Sequence, residues 1–550
     1  MKLSGSQIIL KVLKEKGIDT LFGYPGGAVI PFFDALYDEL DYFKVFRPAH
    51  EQNGVHAADG YARSTGKLGV MIATSGPGAT NTITGIANAY MDSIPLLVIT
   101  GQVANSLIGK DSFQEVDTTG LTLSVTKHNY LVRKAENLED IIREAIDVAL
   151  EGRPGPVLVD VPKDVFINQC EFKGAGFSYE KQLKVPEEEN IKNAVELINN
   201  AKKPVIYAGG GVRISKNDNL LLQLAEKTEI PVCNSFMGLG TIPRSHRLSL
   251  GFVGMHGSLE TNIAVSNCDL LIAIGARFSD RVIGHPDKFA PNAEIIHIDI
   301  DSTEVDKNTY ESIPLIGEMR PILEALIENS EKKDRSEWLQ EIMSKKIMSK
   351  IERQFVPENI LNTVNEAYKQ NTIVVTDVGQ HQMWTGQYWK FNKSNEFITS
   401  GGLGTMGFGF GAAIGAQIGN PNKNAVLITG DGSFRMSCEE LVTISKYKLP
   451  VKIVMLNNNT LGMVRQWQRM FSDARYSETD NYDDVNYQKL VDAYGMKGYK
   501  VSSLDELDKI LEETRNVNEA IFIECKICPE CSVYPIVPPG RPIDELLLNG

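Results

Sequence analysis

The chain has 550 residues, of which 42% are hydrophobic and 23% charged, and a formal net charge of −14. That length exceeds one hydrophobic core and divides into about three units of roughly 150 residues, while ordinary glycine, proline and aromatic usage excludes a disordered or fibrous chain. The acidic balance argues against a nucleic-acid partner, and no apolar run reaches the roughly 18 residues that a membrane helix needs.

From the amino terminus, Ile8, Ile9, Val12 and Leu13 fall at helical spacing behind two candidate caps, Ser4 and Ser6. FKVFRPAHEQNGVHAADGYAR then places Glu51 after a strand and at the start of a helix. VMIAT (70–74), PLLVIT (95–100) and PVLVDVP (156–162) are short continuous apolar runs, as expected of parallel strands covered on both faces. A charged, aperiodic stretch from Cys170 to Glu189 closes this unit, and KPVIYAGGG opens a second that runs through PVCNSF, DLLIAIGARF and EIIHIDID. The charge-rich ENSEKKDRSEWLQEIMSKKIMSKIERQ reads as an exposed connecting helix, after which TIVVTDVGQ, AVLITGDG, VKIVMLNNN and AIFIECK supply a third set of strands. The expected fold is α/β, three doubly wound parallel-sheet domains at 1–168, 190–328 and 356–530 with a tail at 531–550.

The chemistry concentrates where strands end, since ligands of doubly wound sheets bind at the carboxyl edge. Gly-Asp-Gly at 430–432 and Asn-Asn-Asn at 457–459 each follow an apolar strand. Alone, the first makes a turn and the second ends a strand. A right-handed crossover between the two strands sets both ends on one edge, where carboxylate, amide and carbonyl oxygens suit Mg²⁺ and the next helix offers N–H groups to a diphosphate. The paired spacing resembles the signature of thiamine diphosphate (ThDP) enzymes. ThDP chemistry needs a carboxyl at the pyrimidine ring, and Glu51 is the candidate outside the third domain.

GYPGGAVIPFFDAL, HEQNGVHAADGYARSTG, TSGPGATN, KDSFQEVD, TSGGLGTMGFG and LNNNTLGMVRQWQ resemble the acetohydroxyacid (acetolactate) synthase catalytic subunit, from about Ile8 to Pro539. The resemblance implies decarboxylation of pyruvate and ligation of the two-carbon remnant to a second 2-oxo acid, pyruvate or 2-oxobutyrate, in branched-chain amino acid synthesis. A pyruvate oxidase or another ThDP carboligase would share Glu51 and the metal site and stays open as the alternative. It also implies a homodimer or homotetramer whose active sites lie between subunits, and a possible separate regulatory small subunit, in the cytoplasm. By this resemblance Glu51 activates the cofactor, and Asp431, Asn458 and the Thr460 carbonyl hold Mg²⁺. Val378, Gly379, Gln380, His381, Gly432 and Ser433 surround the diphosphate. Gly404 and Met406 hold the pyrimidine in its bent form, with Gly462 and Met463 against the thiazolium. Arg281 takes the acceptor carboxylate and Trp467 walls the acceptor, with Gly27, Phe113, Gln114 and Lys163 completing the pocket. FAD is implied on the middle domain, at Arg153, Gly209, Gly210, Gly211, Ser235, Phe236, Met237, Met255, His256, Arg277 and Asp299. Read without the family, Arg281 is equally a surface ion pair with Asp280, and Met406 a core filler.

Ala104, Lys110 and Phe410-Gly411 depart from the family pattern, and a proline-to-glycine exchange at 411 is expected to cost about 1 kcal/mol if the backbone is unchanged. Seven scattered cysteines fit a reducing compartment better than a disulfide framework. Cys525, Cys528 and Cys531 resemble the start of an iron–sulfur run but lack the fourth ligand, so they read as reduced thiols at a strand end.

Overall fold

The computed structural model describes residues 1–174, 185–309, 311–346, 352–481 and 485–549. Three six-stranded, all-parallel sheets follow one another along the chain. In the first, the spatial order is Lys44–Phe46, Thr20–Gly23, Gly69–Ala73, Leu96–Gln102, Pro156–Pro162, His128–Leu131. In the second it is Ser249–Phe252, Val232–Asn234, Pro204–Ala208, Leu270–Ile274, Glu294–Asp299, Ile313–Ile316. In the third it is Phe397–Ile398, Thr372–Thr376, Asn424–Gly430, Lys452–Asn457, Ile521–Lys526, Lys497–Val501. The central strands are almost wholly buried, which explains why they read as continuous apolar runs rather than alternating ones.

Each sheet reverses its winding after its opening strands, and that reversal opens a crevice at the carboxyl edge. The crevices fall after Thr20–Gly23 and Gly69–Ala73 in the first sheet, after Pro204–Ala208 and Leu270–Ile274 in the second, and after Thr372–Thr376 and Asn424–Gly430 in the third. Thr74, Gly209–Gly211 with Gly275, and Val378–Gly379 with Asp431 therefore occupy corresponding places.

The first and third sheets share one core through two crossing helices, Glu51–Thr65 and Phe408–Gly419. Glycine is required at this crossing, because a Cβ at Gly415 would lie 1.8 Å from the Ala57 carbonyl oxygen and one at Gly60 would lie 2.1 Å from that of Ala412. Phe410 fills the adjoining core, edge-on to Phe434 with centroids 5.3 Å apart. Gly411 has the backbone of the partner helix on it, since its Cβ would meet the Asn53 carbonyl oxygen at 2.6 Å. Beside the crossing, Asp59, Arg63 and Asp92 form a fully buried ion triad. Arg63 also donates to the Thr399 carbonyl, and Asp92 accepts from Gly401 N and Gly402 N. A buried charge needs this complete a set of partners.

Ser4 caps the first helix, Gly5–Glu15, in a capping box with Gln7. Its preceding residues Lys2–Ser4 pair antiparallel with Gln169–Glu171. The charge-rich connection is not one exposed helix. Ser336–Met343 is a short helix that buries Trp338 and Ile342, anchored where Arg335 donates to the carbonyls of Thr228, Ile198 and Ala201. Most of the aperiodic stretch after Cys170 falls outside the described residues. Beyond Cys531 the chain packs back on the middle domain, with Val537 N on the Met255 carbonyl at 2.7 Å and Asn262 Nδ2 on the Ile543 carbonyl at 2.7 Å.

Candidate active site

In the third sheet Gly430 is opposite Leu456 in a parallel pair, so Asp431 and Asn458 leave the edge side by side. Asp431 is buried, and its Oδ2 accepts from Asn481 Nδ2 at 3.1 Å. Burial pushes this carboxyl above its usual range, so a cation would relieve the cost of its charge. Asn458 Nδ2 donates to Gln380 Oε1 at 3.1 Å, and among the described residues Asn458 Oδ1 has only a long contact from Thr460 N at 3.3 Å. Thr460 is held by its hydroxyl on the Thr479 carbonyl at 2.7 Å.

Around this pair, Ser433 Oγ donates to the Val378 carbonyl at 3.0 Å. A Cβ at Gly430 would stand 2.9 Å from His381 Nδ1, and one at Gly462 would stand 1.9 Å from Gln380 Oε1. His381 is buried and its pKa falls to about 3, so its ring is neutral, and its Nε2 has no hydrogen-bond partner among the described residues. A buried polar atom in that state calls for a ligand atom. Met406 reaches over Gly432, its methyl 3.7 Å from where a Cβ there would lie. Asp377 ties the segments together by accepting from Val378 N, Gly407 N and Gly409 N at 2.7–2.9 Å.

The first sheet carries a second cluster. Glu51 opens its helix behind the His50 cap and is 9% exposed, with Oε2 accepting from Asn81 Nδ2 at 3.0 Å. Thr74 Oγ1 holds Ala28 N at 3.2 Å beside the open Gly27, and Gln114, at φ +61°, lies against Gly76. Phe113 is 88% exposed, and Lys163 is exposed at the end of the Pro156–Pro162 strand.

The chain holds Glu51 away from its own Gly401–Gly402, the segment that leads to Gly404 and Met406. The Pro77–Met91 helix has Gly78 against Glu51 Oε1 at one end and Asp92 bonded to Gly401 and Gly402 at the other. At 1.5 Å per residue those ends stand about 21 Å apart.

A cavity of about 1500 Å³ runs from the middle domain to the third. Its wall includes Arg153 from the first domain and Gly210, Gly211, Ser235, Phe236 and Met237 from the middle domain. Met255, His256, Arg277 and Asp299 continue it, and Val378, Gly379, Gly404 and Met463 close the far end. Gly209 lies behind the wall, where a Cβ would meet the Gly275 carbonyl oxygen at 2.1 Å. Burial raises Asp299 to about 6 and lowers His256 to about 4, and Arg153 pairs with Asp301 and Glu304 at 3.1 and 2.7 Å. Arg281 and Trp467 meet on this cavity, the guanidinium 5.8 Å from the ring centroid. Arg281 also lies 3.6 Å from Asp280, so the ion pair and the pocket position coexist.

Asn481, Asn81 and Asp377 had no role assigned from sequence. Asn81 ends the quoted TSGPGATN and Asp377 sits inside TDVGQ, whereas Asn481 lies in an irregular stretch 50 residues beyond Asp431 with no motif to mark it. Cys525, Cys528 and Cys531 do not form a cluster: Cys525 is buried inside its strand and Cys528 exposed, and no metal-holding group of three occurs among the described residues.

The sheets and crevices match three known domain models: "Thiamine pyrophosphate enzyme, N-terminal TPP binding domain" over residues 3–121, the "central domain" over 191–326 and the "C-terminal TPP binding domain" over 377–525. The chain is a thiamine pyrophosphate enzyme by its three matched domains. A "Probable acetolactate synthase large subunit" of Methanocaldococcus jannaschii is 45% identical over 99% of this chain and 95% of its own length. The "Acetolactate synthase large subunit" of Lactococcus lactis is 41% identical, covering 99% and 96%, and "Acetolactate synthase isozyme 2 large subunit" of Escherichia coli is 42% identical, covering 99% of both. The chain belongs to the acetolactate synthase large-subunit family.

Proposed function

We propose that this chain makes 2-acetolactate from two pyruvates, or 2-aceto-2-hydroxybutyrate from pyruvate and 2-oxobutyrate, with ThDP, Mg²⁺ and FAD bound. The observation that carries this reading is the meeting of the Asp431 and Asn458 loops on one sheet edge beside His381 Nε2, which has no hydrogen-bond partner among the described residues. Asp431, the Asn458 amide oxygen and the Thr460 carbonyl are the hard oxygen donors that suit Mg²⁺ with a diphosphate as co-ligand. His381, Gln380, Gly432 and Ser433 would face that diphosphate. The cavity exceeds the roughly 300–1,000 Å³ of an ordinary small-molecule site, as a dinucleotide requires.

When bound, ThDP supplies a carbon acid that adds to the 2-oxo acid and accepts the electron pair released with CO₂. Glu51 has its Oε2 fixed by Asn81, and its Oε1 would be the oxygen that exchanges a proton with the pyrimidine ring of bound ThDP. Arg281 binds the acceptor carboxylate and Trp467 fixes the size of the acceptor pocket. Apolar walls of the cavity keep water from the reacting carbon. Since Glu51 stands about a helix length from its own Gly401–Gly402, next to the Gly404 and Met406 assigned to the pyrimidine, the reading places it at the cofactor of a neighbouring subunit, in a homodimer or homotetramer. The relatives' names as large subunits support a separate small subunit. Seven unpaired cysteines and the lack of any described helix able to cross a membrane support a cytoplasmic setting.

The test is mass spectrometry of products from pyruvate, with and without 2-oxobutyrate, in the presence of ThDP, Mg²⁺ and FAD. Acetolactate with CO₂ is the expected outcome. Acetyl phosphate or acetate with flavin reduction would replace this reading by an oxidase.

A further inference from the structure

Cys528-Pro529-Glu530-Cys531 follows the last central strand of the third sheet, at the edge that carries Asp431 and Asn458. The four residues form a turn closed by Cys531 N on the Cys528 carbonyl at 3.2 Å, with proline at its second position. Such a turn holds its end Cα atoms within about 7 Å, which reaches the roughly 4.4–6.8 Å that a disulfide needs. The Cys528 thiol donates to Glu530 Oε2 at 3.3 Å inside the same turn. Cys528 is exposed and Cys531 half-buried, while Cys525 is sealed in the core.

The turn is wired to the cofactor edge. Gln380 Nε2 donates to the Cys531 carbonyl at 2.9 Å, and Gln380 Oε1 accepts from Asn458 Nδ2 at 3.1 Å. Gln466, one turn beyond Gly462, exchanges two hydrogen bonds with the Val533 backbone at 2.9 and 3.0 Å. Glu530 lies 3.3 Å from Cys528 Sγ and 3.3 Å from Arg465 on the same helix as Gln466. A change inside the turn has a path of three hydrogen-bonded groups to Asn458.

We propose that Cys528 and Cys531 form a dithiol/disulfide site that reacts with low-molecular-weight disulfides and passes its state to the Asn458 loop through Gln380. The exposed Cys528, as thiolate, attacks one sulfur of the disulfide RSSR and expels RS⁻, giving a mixed disulfide. Cys531, as thiolate, then attacks the Cys528 sulfur and expels the second RS⁻. The two cysteine protons end on the two RS⁻, so one RSSR is reduced to two RSH and one protein disulfide forms. The bond replaces the Cys528 thiol contact to Glu530 and tightens the turn. The Cys531 carbonyl then shifts against Gln380.

The holoprotein is equilibrated in glutathione buffers of graded potential, trapped by alkylation, and its peptides weighed. The expected result is one two-electron transition confined to the Cys528–Cys531 peptide, with a persistent glutathione adduct on Cys528 in C531S. Accumulation of that adduct in the unmodified protein, or no reaction at Cys528, would overturn the site. The coupling rests on the proposed Mg²⁺ site and is read separately, by Mg²⁺ titration of tryptophan fluorescence with ThDP present. The disulfide form should need several-fold more Mg²⁺ than the reduced form, and C528S should respond identically in both buffers. Equal Mg²⁺ demand with the disulfide formed would overturn the coupling, whereas loss of any Mg²⁺ response in the reduced protein would count against the metal site itself.

Discussion

Gly415→Ala tests whether the helix crossing positions Glu51. The added Cβ would lie 1.8 Å from the Ala57 carbonyl oxygen, and ordinary contact begins near 3.4 Å, so the helices must part by about 1.6 Å. The obstacle is backbone on a helix, which cannot rotate away as a side chain can. Overpacking of this kind costs roughly 1–3 kcal/mol, or a fall of about 2–4 °C in Tm for each kcal/mol in a domain of 150–250 residues. Because the displaced helix begins at Glu51, a shift of more than 1 Å at the cofactor ring is expected to lower kcat on the order of 10²-fold. Gly419→Ala is the control, since its Cβ meets the Thr65 methyl at 2.5 Å, the end of a side chain that can turn. Differential scanning fluorimetry and steady-state acetolactate formation read the two effects. If Gly415→Ala matched the parent in both Tm and kcat, the crossing would not set the position of Glu51.

Asn481→Ala removes the hydrogen bond to Asp431 Oδ2 and leaves the sheet untouched, so Mg²⁺ demand should rise about 10–100-fold; titrating activity against Mg²⁺ checks this, and an unchanged half-saturation would contradict it. Glu440 is buried, and burial raises its carboxyl to about 7 although it accepts from Ala49 N, His50 N and Thr443. A raised carboxyl favours the folded protein while protonated, so this contribution is full below about 4.5 and is lost as pH rises to about 7. The loss amounts to about 3 kcal/mol. Glu440→Gln should therefore flatten the fall in Tm between pH 5 and pH 8, and an unaltered slope would show that Glu440 does not titrate in that range.

The sheets were readable because buried parallel strands leave continuous apolar runs, and the Asp431–Asn458 pair because each follows such a run. The resemblance supplied the rest of the expected site, and the structure places Arg281 on Trp467 and Met406 on Gly432. Contacts between distant segments left no local trace. Asn481 reaches Asp431 from an irregular stretch, and Glu440 caps the backbone before Glu51 across 390 residues. Charge density misled in the connecting segment, where Trp338 and Arg335 are buried and the many charged residues around them mask the apolar side of a short helix. Composition likewise hid the Asp59–Arg63–Asp92 triad, since its members look like ordinary helix-surface charges until the third domain covers them.

The central claim is that an acid on one subunit serves a metal site on another, and mixed assembly tests it most directly. Glu51→Gln and Asp431→Ala chains, each inactive alone, are co-expressed with different tags, and the doubly tagged species is isolated. In a two-fold dimer that species keeps one intact site of two, so about half the parent kcat per dimer is predicted. If the mixed dimer is as inactive as either parent variant, Glu51 does not act across the interface and the account is wrong.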